Sequence, residues 1–273
     1  MNGSVKKGVS PLYIFLAFGY AFLYTPIVLL VFYSFNESRL VTVWAGFSTK
    51  WYGELFRNEQ ILNAAWLSLR IAFVNACFAT FLGTLAGFII ARYKRFPSRT
   101  VFLGLMSAPL VMPDVVMGLS LLLLFVAMEN GIGWPDGRGA VTVTIAHITF
   151  SLAFVAVIVQ AKLASFDRSL EEAAMDLGAK PWKIFCVITL PLIAPALAAG
   201  WLLSFTLSFD DLIITSFTSG PGASTLPMVI YSSVRLGVSP QINALATIMI
   251  SVVALFVLVS GWMLYSQDKA KNL

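Results

Sequence analysis

Three carboxylates lie in parts of the chain that are otherwise apolar. Asp114 stands within LVMPDVVMG, and Asp210 and Asp211 close another apolar run in LSFDDLIIT. An ionised carboxylate near the centre of a bilayer costs about 2.5 to 3.5 kcal/mol on insertion scales, so such residues usually face the interior of a helix bundle and serve transport. The three residues are therefore predicted to line a substrate pathway, and their charge favours a cation as cargo.

Each carboxylate also has a structural alternative. Asp210 and Asp211 can cap a helix at the outer membrane interface, and Asp114 can pair with Arg70 of the preceding apolar run. The single histidine, His147, lies inside the fourth apolar run, where a hydrogen-bonded packing residue is favoured over a proton relay. The residue types alone leave these alternatives open.

Patterns for catalysis and metal binding are absent from the sequence. A P-loop requires Gly-Lys followed by Ser or Thr, and the dipeptide Gly-Lys does not occur, so the chain is not expected to bind ATP in that way. One histidine cannot form a zinc site alone, and neither HExxH nor GxSxG is present. We predict a subunit that is not an enzyme and that binds no metal or cofactor itself.

The elements that must position these residues are apolar runs long enough to cross a membrane. Hydrophobic residues make up 59% of the chain and charged residues 11%, whereas about a quarter of the residues in an ordinary soluble domain are charged. A helix needs about 20 apolar residues to cross the roughly 30 Å hydrocarbon core. Six runs qualify, at about 11–35, 64–91, 100–127, 140–161, 184–208 and 243–265. The sequence predicts an all-α, polytopic protein of the lipid bilayer with a single transmembrane domain over 1–273.

Features inside the runs add local predictions. The first run exceeds the apolar core of a cleaved signal peptide, so 11–35 is expected to remain as an anchoring helix. Gly83 and Gly87 form a GxxxG pattern, which can mark close helix packing. Cys77 and Cys186 lie in separate runs, which is typical of buried free thiols and not of a disulfide.

The basic residues predict the orientation in the membrane. Twelve Lys and Arg fall on one side of the six runs and five on the other, which places the first side, both termini and the loop after the fourth run in the cytoplasm. The twelve are Lys6, Lys7, Arg92, Lys94, Arg95, Arg99, Lys162, Arg168, Lys180, Lys183, Lys269 and Lys271. The net charge of +5 is thus a signal of topology and requires no nucleic-acid partner.

A short polar segment between the fourth and fifth runs has the pattern of two small helices. Apolar residues recur at the spacing of one helix face: Leu170, Ala173, Ala174 and Leu177. Ser169 and Glu172 predict a capping box, Gly178 a left-handed C-terminal cap, and Pro181 the first position of the next helix. A helix of about eight residues is too short to be stable alone in water, so we expect a partner to dock on its apolar face.

This segment resembles the EAA loop of permease subunits in bacterial ABC importers. The fixed positions of that pattern are matched by Glu172, Ala173, Ala174, Gly178, Ile188, Leu190 and Pro191. The resemblance implies a type I ABC importer permease fold with six transmembrane helices, a core bundle over 64–265 and a cytoplasmic EAA loop over 162–184. It also implies that these residues, with Leu177, dock into a groove on an ATPase subunit. The alternative is an amphipathic helix lying on the lipid headgroups, although its polar face is acidic and its apolar face alanine-rich.

Two other segments are similar to polyamine importers. FDDLIITSFTSGPGASTLPMVIYS and MPDVVMGLSLLLLF resemble the corresponding parts of spermidine and putrescine importer permeases, especially the second permease subunit of putrescine importers. The resemblance implies a permease that moves a putrescine-like or spermidine-like dication across the bacterial inner membrane. The implied partners are a homologous permease subunit, two cytoplasmic ATPase subunits that bind ATP and Mg, and a periplasmic substrate-binding protein.

Two other functions remain as alternatives from the sequence. The same fold can serve another small solute or an anion, but an anion pathway should show Arg or Lys within the helices, and Arg70 is the one basic residue there. A membrane-embedded transferase would need acids, His or Cys at the cytoplasmic face with metal or phosphate spacing. The acids at that face are already used by the EAA helix.

Overall fold

The computed structural model of the chain describes residues 11–40, 43–93, 95–237 and 239–271. Side chains are described within these ranges except at 11, 14, 256, 257 and 259–271. Of the twelve basic residues that predict the orientation, Lys6, Lys7 and Lys94 lie outside the described residues. Regular structure in the described ranges is helical, apart from an isolated antiparallel bridge between Asn36 and Phe47.

Twelve α-helices and one π-helical segment follow one another along the described chain. They are α1 (Pro11–Ser34), α2 (Lys50–Leu55), α3 (Glu59–Arg92), α4 (Arg99–Val111), α5 (Asp114–Ile132), α6 (Ala140–Ala164), α7 (Ser169–Asp176), α8 (Pro181–Ile184), the π segment (Phe185–Thr189), α9 (Leu190–Phe209), α10 (Ile213–Thr218), α11 (Leu226–Leu236) and α12 (Pro240–Lys271). The predicted all-α class is confirmed.

Five described helical spans are long and apolar enough to cross a membrane: Phe15–Ser34, Glu59–Arg92, Asp114–Ile132, Ala140–Ala164 and Pro181–Phe209. The first of them contains most of the predicted anchor, 11–35. The sixth predicted run, 243–265, lies on α12, which is 32 residues long. Helices outnumber the six predicted runs because short helices occur in the connections.

The predicted third span, 100–127, is wrong as a single helix. The chain breaks between α4 and α5, where Met112 is extended with ψ 136° and Pro113 precedes the first residue of α5. Proline disfavours the helical conformation in the residue before it, so the first helix ends at Val111. As a result, Asp114 lies in the first turn of a new helix and not in the middle of a continuous one.

Packing divides the chain into two compact units. The first comprises the described residues up to 62 and those from 230 onward, and in it α1 and α2 pack against α12. Asn36, which is fully buried, organises the connection after α1. Its Nδ2 donates to the carbonyl oxygen of Val43 at 2.7 Å, its Oδ1 accepts the amide of Ala45 at 3.0 Å, and its carbonyl oxygen accepts Nε1 of Trp51 at 2.6 Å. This connection is therefore a hydrogen-bonded loop.

The second unit, residues 63–229, is built around α6, which packs against α9, α4 and α10. Val155 and Val159 of α6 are fully buried. A polar link joins three helices in this interior: Nδ2 of Asn75 on α3 donates to Oγ of Ser151 on α6 at 3.2 Å and to the carbonyl oxygen of Ser204 on α9 at 2.8 Å. The buried polar groups thus connect helices within the unit.

The GxxxG pattern of α3 lies directly against α6. A Cβ atom added at Gly83 would lie 2.6 Å from Cβ of Val155, and one added at Gly87 would lie 2.6 Å from the carbonyl oxygen of Ala156. Close packing at these glycines is therefore confirmed. The cysteines differ from their prediction: both are free, as expected, but Cys77 and Cys186 are exposed, because they point away from the interior of the chain.

Replacement of Gly83 by Ala should destabilise the protein. A methyl group at this position overlaps the backbone and Val155 of α6, and overpacking of this kind costs about 1 to 3 kcal/mol. Gly104→Ala is the matched control, because nothing lies within 4 Å of a Cβ at that position of α4. We expect thermal unfolding in detergent to show a lower Tm for Gly83→Ala and an unchanged or higher Tm for Gly104→Ala. Equal Tm values for the two variants would contradict the close contact.

Candidate functional site

The polar loop forms the short helix α7 that the sequence pattern predicts, but its N-terminal cap differs. Ser169 is the first helical residue, and its amide donates to Oδ1 of Asp167 at 3.0 Å. Hydrogen bonding from Ser169 lowers the pKa of the Asp167 carboxyl below its ordinary value. The predicted capping box of Ser169 and Glu172 is wrong, because the helix begins at Ser169 itself, one residue earlier than that motif requires.

The C-terminal end of α7 agrees with its prediction. Gly178 has φ +82°, a left-handed conformation that glycine adopts without a steric penalty. Its amide donates to the carbonyl oxygen of Met175 at 2.8 Å, and the amide of Ala179 donates to the carbonyl oxygen of Ala174 at 3.0 Å. Pro181 then starts α8, as predicted. The loop therefore has a defined turn at its centre.

Most EAA-pattern residues on this helix are unpartnered by the rest of the described chain. Glu172 and Ala173 are exposed, Ala174 is half-buried, and Leu177 is 89% exposed. Leu170, on the same apolar face, is 50% exposed. The structure thus presents a small apolar surface that another protein can cover.

The second half of the EAA pattern belongs to the membrane helix and not to α7. Ile188 lies in the π segment and is half-buried, and Leu190 and Pro191 begin α9. Because Pro191 has no amide hydrogen, the helix loses a backbone hydrogen bond where its turns change from π to α. The fifth membrane helix is therefore irregular at its start, where the π segment precedes α9.

Sequence reasoning missed the polar group that ties α7 to its neighbours. Oε1 of Glu171 lies 2.6 Å from Nη2 of Arg92, at the end of α3, and accepts a hydrogen bond from Oγ1 of Thr189 at 2.6 Å. The side chains of Arg92 and Glu171 are only 10% and 15% exposed. Glu171 precedes the EAA pattern, and the signal that could have found it is a basic residue, Arg92, at the C-terminal end of α3.

A second polar group forms around His147 on α6. Its Nδ1 lies 2.6 Å from Oγ of Ser208, and its Nε2 lies 3.1 Å from Oδ2 of Asp211 and 3.0 Å from Oγ1 of Thr215. His147 is 2% exposed. It is thus a buried, fully hydrogen-bonded residue, which agrees with the predicted packing role, and it links α6 to the end of α9 and to α10.

Asp211 has several partners within the chain. Its Oδ2 accepts the amide and the hydroxyl of Thr215, both at 2.7 Å, and its Oδ1 accepts the amide of Ile214 at 3.3 Å. These bonds cap the N-terminus of α10, where a carboxylate is also favoured by the helix dipole. The capping alternative for Asp211 therefore describes its contacts, and the contact with Nε2 of His147 adds to them.

The other two predicted pathway carboxylates are exposed in this chain. Asp210 follows the last residue of α9, and Asp114 lies in the first turn of α5. No ion pair joins Asp114 to Arg70 or to any other described residue, so the alternative in which Asp114 pairs with Arg70 is wrong. The structure does connect the two regions, because α5 packs against α10. Within the part of the chain that is described, no group of three or more His, Cys, Asp or Glu is arranged to hold a metal ion.

Comparison with known proteins decides the family. Residues 83–272 match the family described as the inner membrane component of binding-protein-dependent transport systems. The chain belongs to this family. It is a transmembrane permease subunit of an ABC importer.

Two curated relatives cover nearly the whole permease. A putrescine transport system permease protein, PotI from Escherichia coli, is 54% identical over 258 residues, which are 94% of this chain and 92% of the relative. A spermidine/putrescine transport system permease protein, PotC from Escherichia coli, is 45% identical over 253 residues, with 93% of this chain and 92% of the relative covered.

Solved structures support the fold of the permease. A chain of a bacterial ABC transporter involved in the import of the acidic polysaccharide alginate superimposes with a TM-score of 0.72 at 21% identity, covering 92% of this chain and 94% of that one. A chain of the MetNI methionine ABC transporter, in an inward-facing conformation, superimposes with a TM-score of 0.60 at 15% identity. The match covers 75% of this chain and 94% of that one. The type I ABC importer permease fold is confirmed.

The permease should lose stability when Asp211 is truncated but not when Asp210 is. Asp211→Ala leaves the amide of Thr215 without its side-chain partner and removes one of the contacts of His147, and an unsatisfied buried polar group costs about 1 to 3 kcal/mol. Asp210→Ala is the matched control, because this neighbouring side chain is exposed. Thermal unfolding in detergent should give a lower Tm for Asp211→Ala alone. A similar Tm for both variants would mean that the bonds of Asp211 contribute little.

Proposed function

We propose that this permease carries a polyamine, a dication such as putrescine or spermidine, across the bacterial inner membrane. The observation that carries the proposal is the 54% identity to a putrescine permease protein over 94% of the chain. The exposed carboxylates of Asp114 and Asp210 support it, since they give a cationic cargo groups to bind.

The proposed assembly contains this chain, a homologous permease, two cytoplasmic ATPase subunits and a periplasmic substrate-binding protein. In this assembly the chain performs no catalysis and binds no cofactor, and ATP and Mg belong to the ATPase subunits. The charge imbalance of twelve to five supports cytoplasmic termini and a cytoplasmic EAA loop. Closure of the ATPases around ATP would favour one state of the permease pair, and hydrolysis would release it.

The EAA loop is the proposed contact with the ATPase. The apolar face of α7, with Leu177 almost fully exposed, supports this role, because a helix of eight residues needs a packing partner to be stable. Glu172 projects from the first turn beside this face. Gly178 fixes the turn after it. Ile188, Leu190 and Pro191 would then connect the docked loop to the membrane helix that follows.

Gly178→Asp and Glu172→Lys should each stop transport while the permease still inserts in the membrane. Asp at position 178 strains a left-handed backbone position and adds a charge next to the docking face, and Lys at position 172 reverses a charge in the first turn of α7. The measurement is co-purification of the ATPase with the tagged permease. Gly222→Asp controls for strain, because Gly222 also has positive φ but lies outside the loop. Normal ATPase association and uptake in both EAA-loop variants would rule out the docking role.

The carboxylates have separate proposed roles in the substrate pathway. A diamine carries two ammonium groups on a flexible chain, so its passage is helped by separated carboxylates that replace its water. Asp114 and Asp210 are free of ion pairs within the described chain and can act directly. Asp211 contributes its charge at the same site while its bonds to Thr215 and His147 fix its position.

Asp114→Asn and Asp210→Asn should each reduce polyamine uptake. A charge-assisted hydrogen bond contributes about 1.5 to 3 kcal/mol, so each loss corresponds to roughly a tenfold decrease or more in uptake. Radiolabelled putrescine uptake is measured in membranes with equal amounts of complex, and labelled sulfate tests the anion alternative. Glu129→Gln is the control, because Glu129 is an exposed carboxylate in the last turn of α5. Unchanged putrescine uptake in both Asn variants would eliminate the carboxylate pathway.

A further inference from the structure

We propose that Glu171 is the joint through which movement of α7 reaches the membrane helices. It is a positioning residue for the transport cycle, and this inference rests on the docking role proposed above for the EAA loop. Glu171 is not one of the fixed EAA positions. Its side chain turns toward the protein interior, whereas that of its neighbour Glu172 is exposed.

One oxygen atom of Glu171 connects three elements. Oε1 lies 2.6 Å from Nη2 of Arg92, in the last turn of α3, and 2.6 Å from Oγ1 of Thr189, at the end of the π segment. Glu171 itself lies in the first turn of α7. Any displacement of α7 must therefore move the ends of two membrane helices with it or break both contacts.

The surroundings of Arg92 make this connection stiff. Its guanidinium carbon lies 5.9 Å from the ring centre of Phe88 and 5.6 Å from that of Phe166, so the cation makes cation–π contacts with two aromatic residues. Removal of one partner from a mostly buried ion pair leaves the other charge uncompensated. The contact is thus favoured over separation as long as α7 moves together with α3.

The contact of Glu171 with Thr189 lies at the π segment, where the backbone of the membrane helix is irregular. A π-helical turn inside an α-helix has weaker backbone regularity and is frequent at functional sites. Here it lies between α8 and α9, with Thr189 as its last residue and Pro191 just beyond. Thr189 is 1% exposed, so water cannot replace Glu171 as the partner of its hydroxyl unless the structure opens locally. A pull on Glu171 is therefore applied at the least regular turn of this membrane helix.

The sharpest test follows the π segment directly in the assembled transporter. Cys186 lies in this segment and is exposed, and Cys77 is the other cysteine of the chain, so Cys77→Ser leaves a single thiol for a spin label. The label is recorded in the full complex with the partner permease, ATPase and binding protein, both without nucleotide and after trapping with ATP and vanadate. We expect a spectral change on trapping in this parent, and at least a tenfold smaller change when Glu171→Gln is added.

Co-purification and activity separate transmission from docking. Glu171→Gln should retain the ATPase at the wild-type ratio and keep ATP hydrolysis, but transport at least tenfold less substrate per ATP. Glu129→Gln, a carboxylate remote from the joint, should behave as the parent. Thr189→Val removes one of the two bonds with little change in volume. It should lower the amount of substrate transported per ATP by a smaller factor. Exchanging the charges, Glu171→Arg with Arg92→Glu, should restore part of the loss.

Each other result overturns the inference. It fails if the label responds to trapping in Glu171→Gln as in the parent, if the parent label does not respond, or if Glu171→Gln releases the ATPase. Should Glu171→Gln fail to fold or to insert in the membrane, the same readouts in Thr189→Val decide. If the parent complex does not import putrescine, the proposed cargo is wrong, but the response of the label at Cys186 still tests the joint, because trapping with vanadate requires no cargo.

Discussion

The close contact of α3 with α6 determines how the second unit is built. Gly83 and Gly87 allow the two backbones to approach, and no side chain other than hydrogen fits there without displacement of Val155 or the carbonyl oxygen of Ala156. In lipid, helix association depends on such packing and on hydrogen bonds between helices, because both partners are apolar. The link from Asn75 to Ser151 and Ser204 then fixes α9 relative to this pair.

Two polar groups use this framework in different ways. Around His147, every polar atom has a partner inside the chain, so Asp211 fixes the start of α10 next to α6. Around Glu171, the partners lie at the C-terminal end of α3 and in the π segment, so the group joins the loop to the membrane helices. Burial makes both groups expensive to break, since a charge without its partner is poorly solvated in the protein interior.

Much of the functional surface could be predicted because it depends on local sequence. The φ of Gly178, the start of α8 at Pro181 and the short helix between them follow from residue preferences within a few positions. The predicted third span failed at Pro113, although proline is itself a local signal, because hydropathy alone does not register a break in the helix. The predicted capping box was wrong because Oδ1 of Asp167 accepts the hydrogen bond from the amide of Ser169, the first amide of α7.

The sequence by itself determined the membrane class, the helical class, the EAA loop and the kinship with polyamine permeases, because apolar length, turn residues and motif spacing are properties of consecutive residues. Only the tertiary structure decided the contacts of the carboxylates. Asp211 and Glu171 have partners 64 and 79 positions away, at His147 and Arg92, while the adjacent Asp210 and Glu172 are exposed. Neighbours of identical type thus differ in burial and in partners, because both depend on which distant helices pack together.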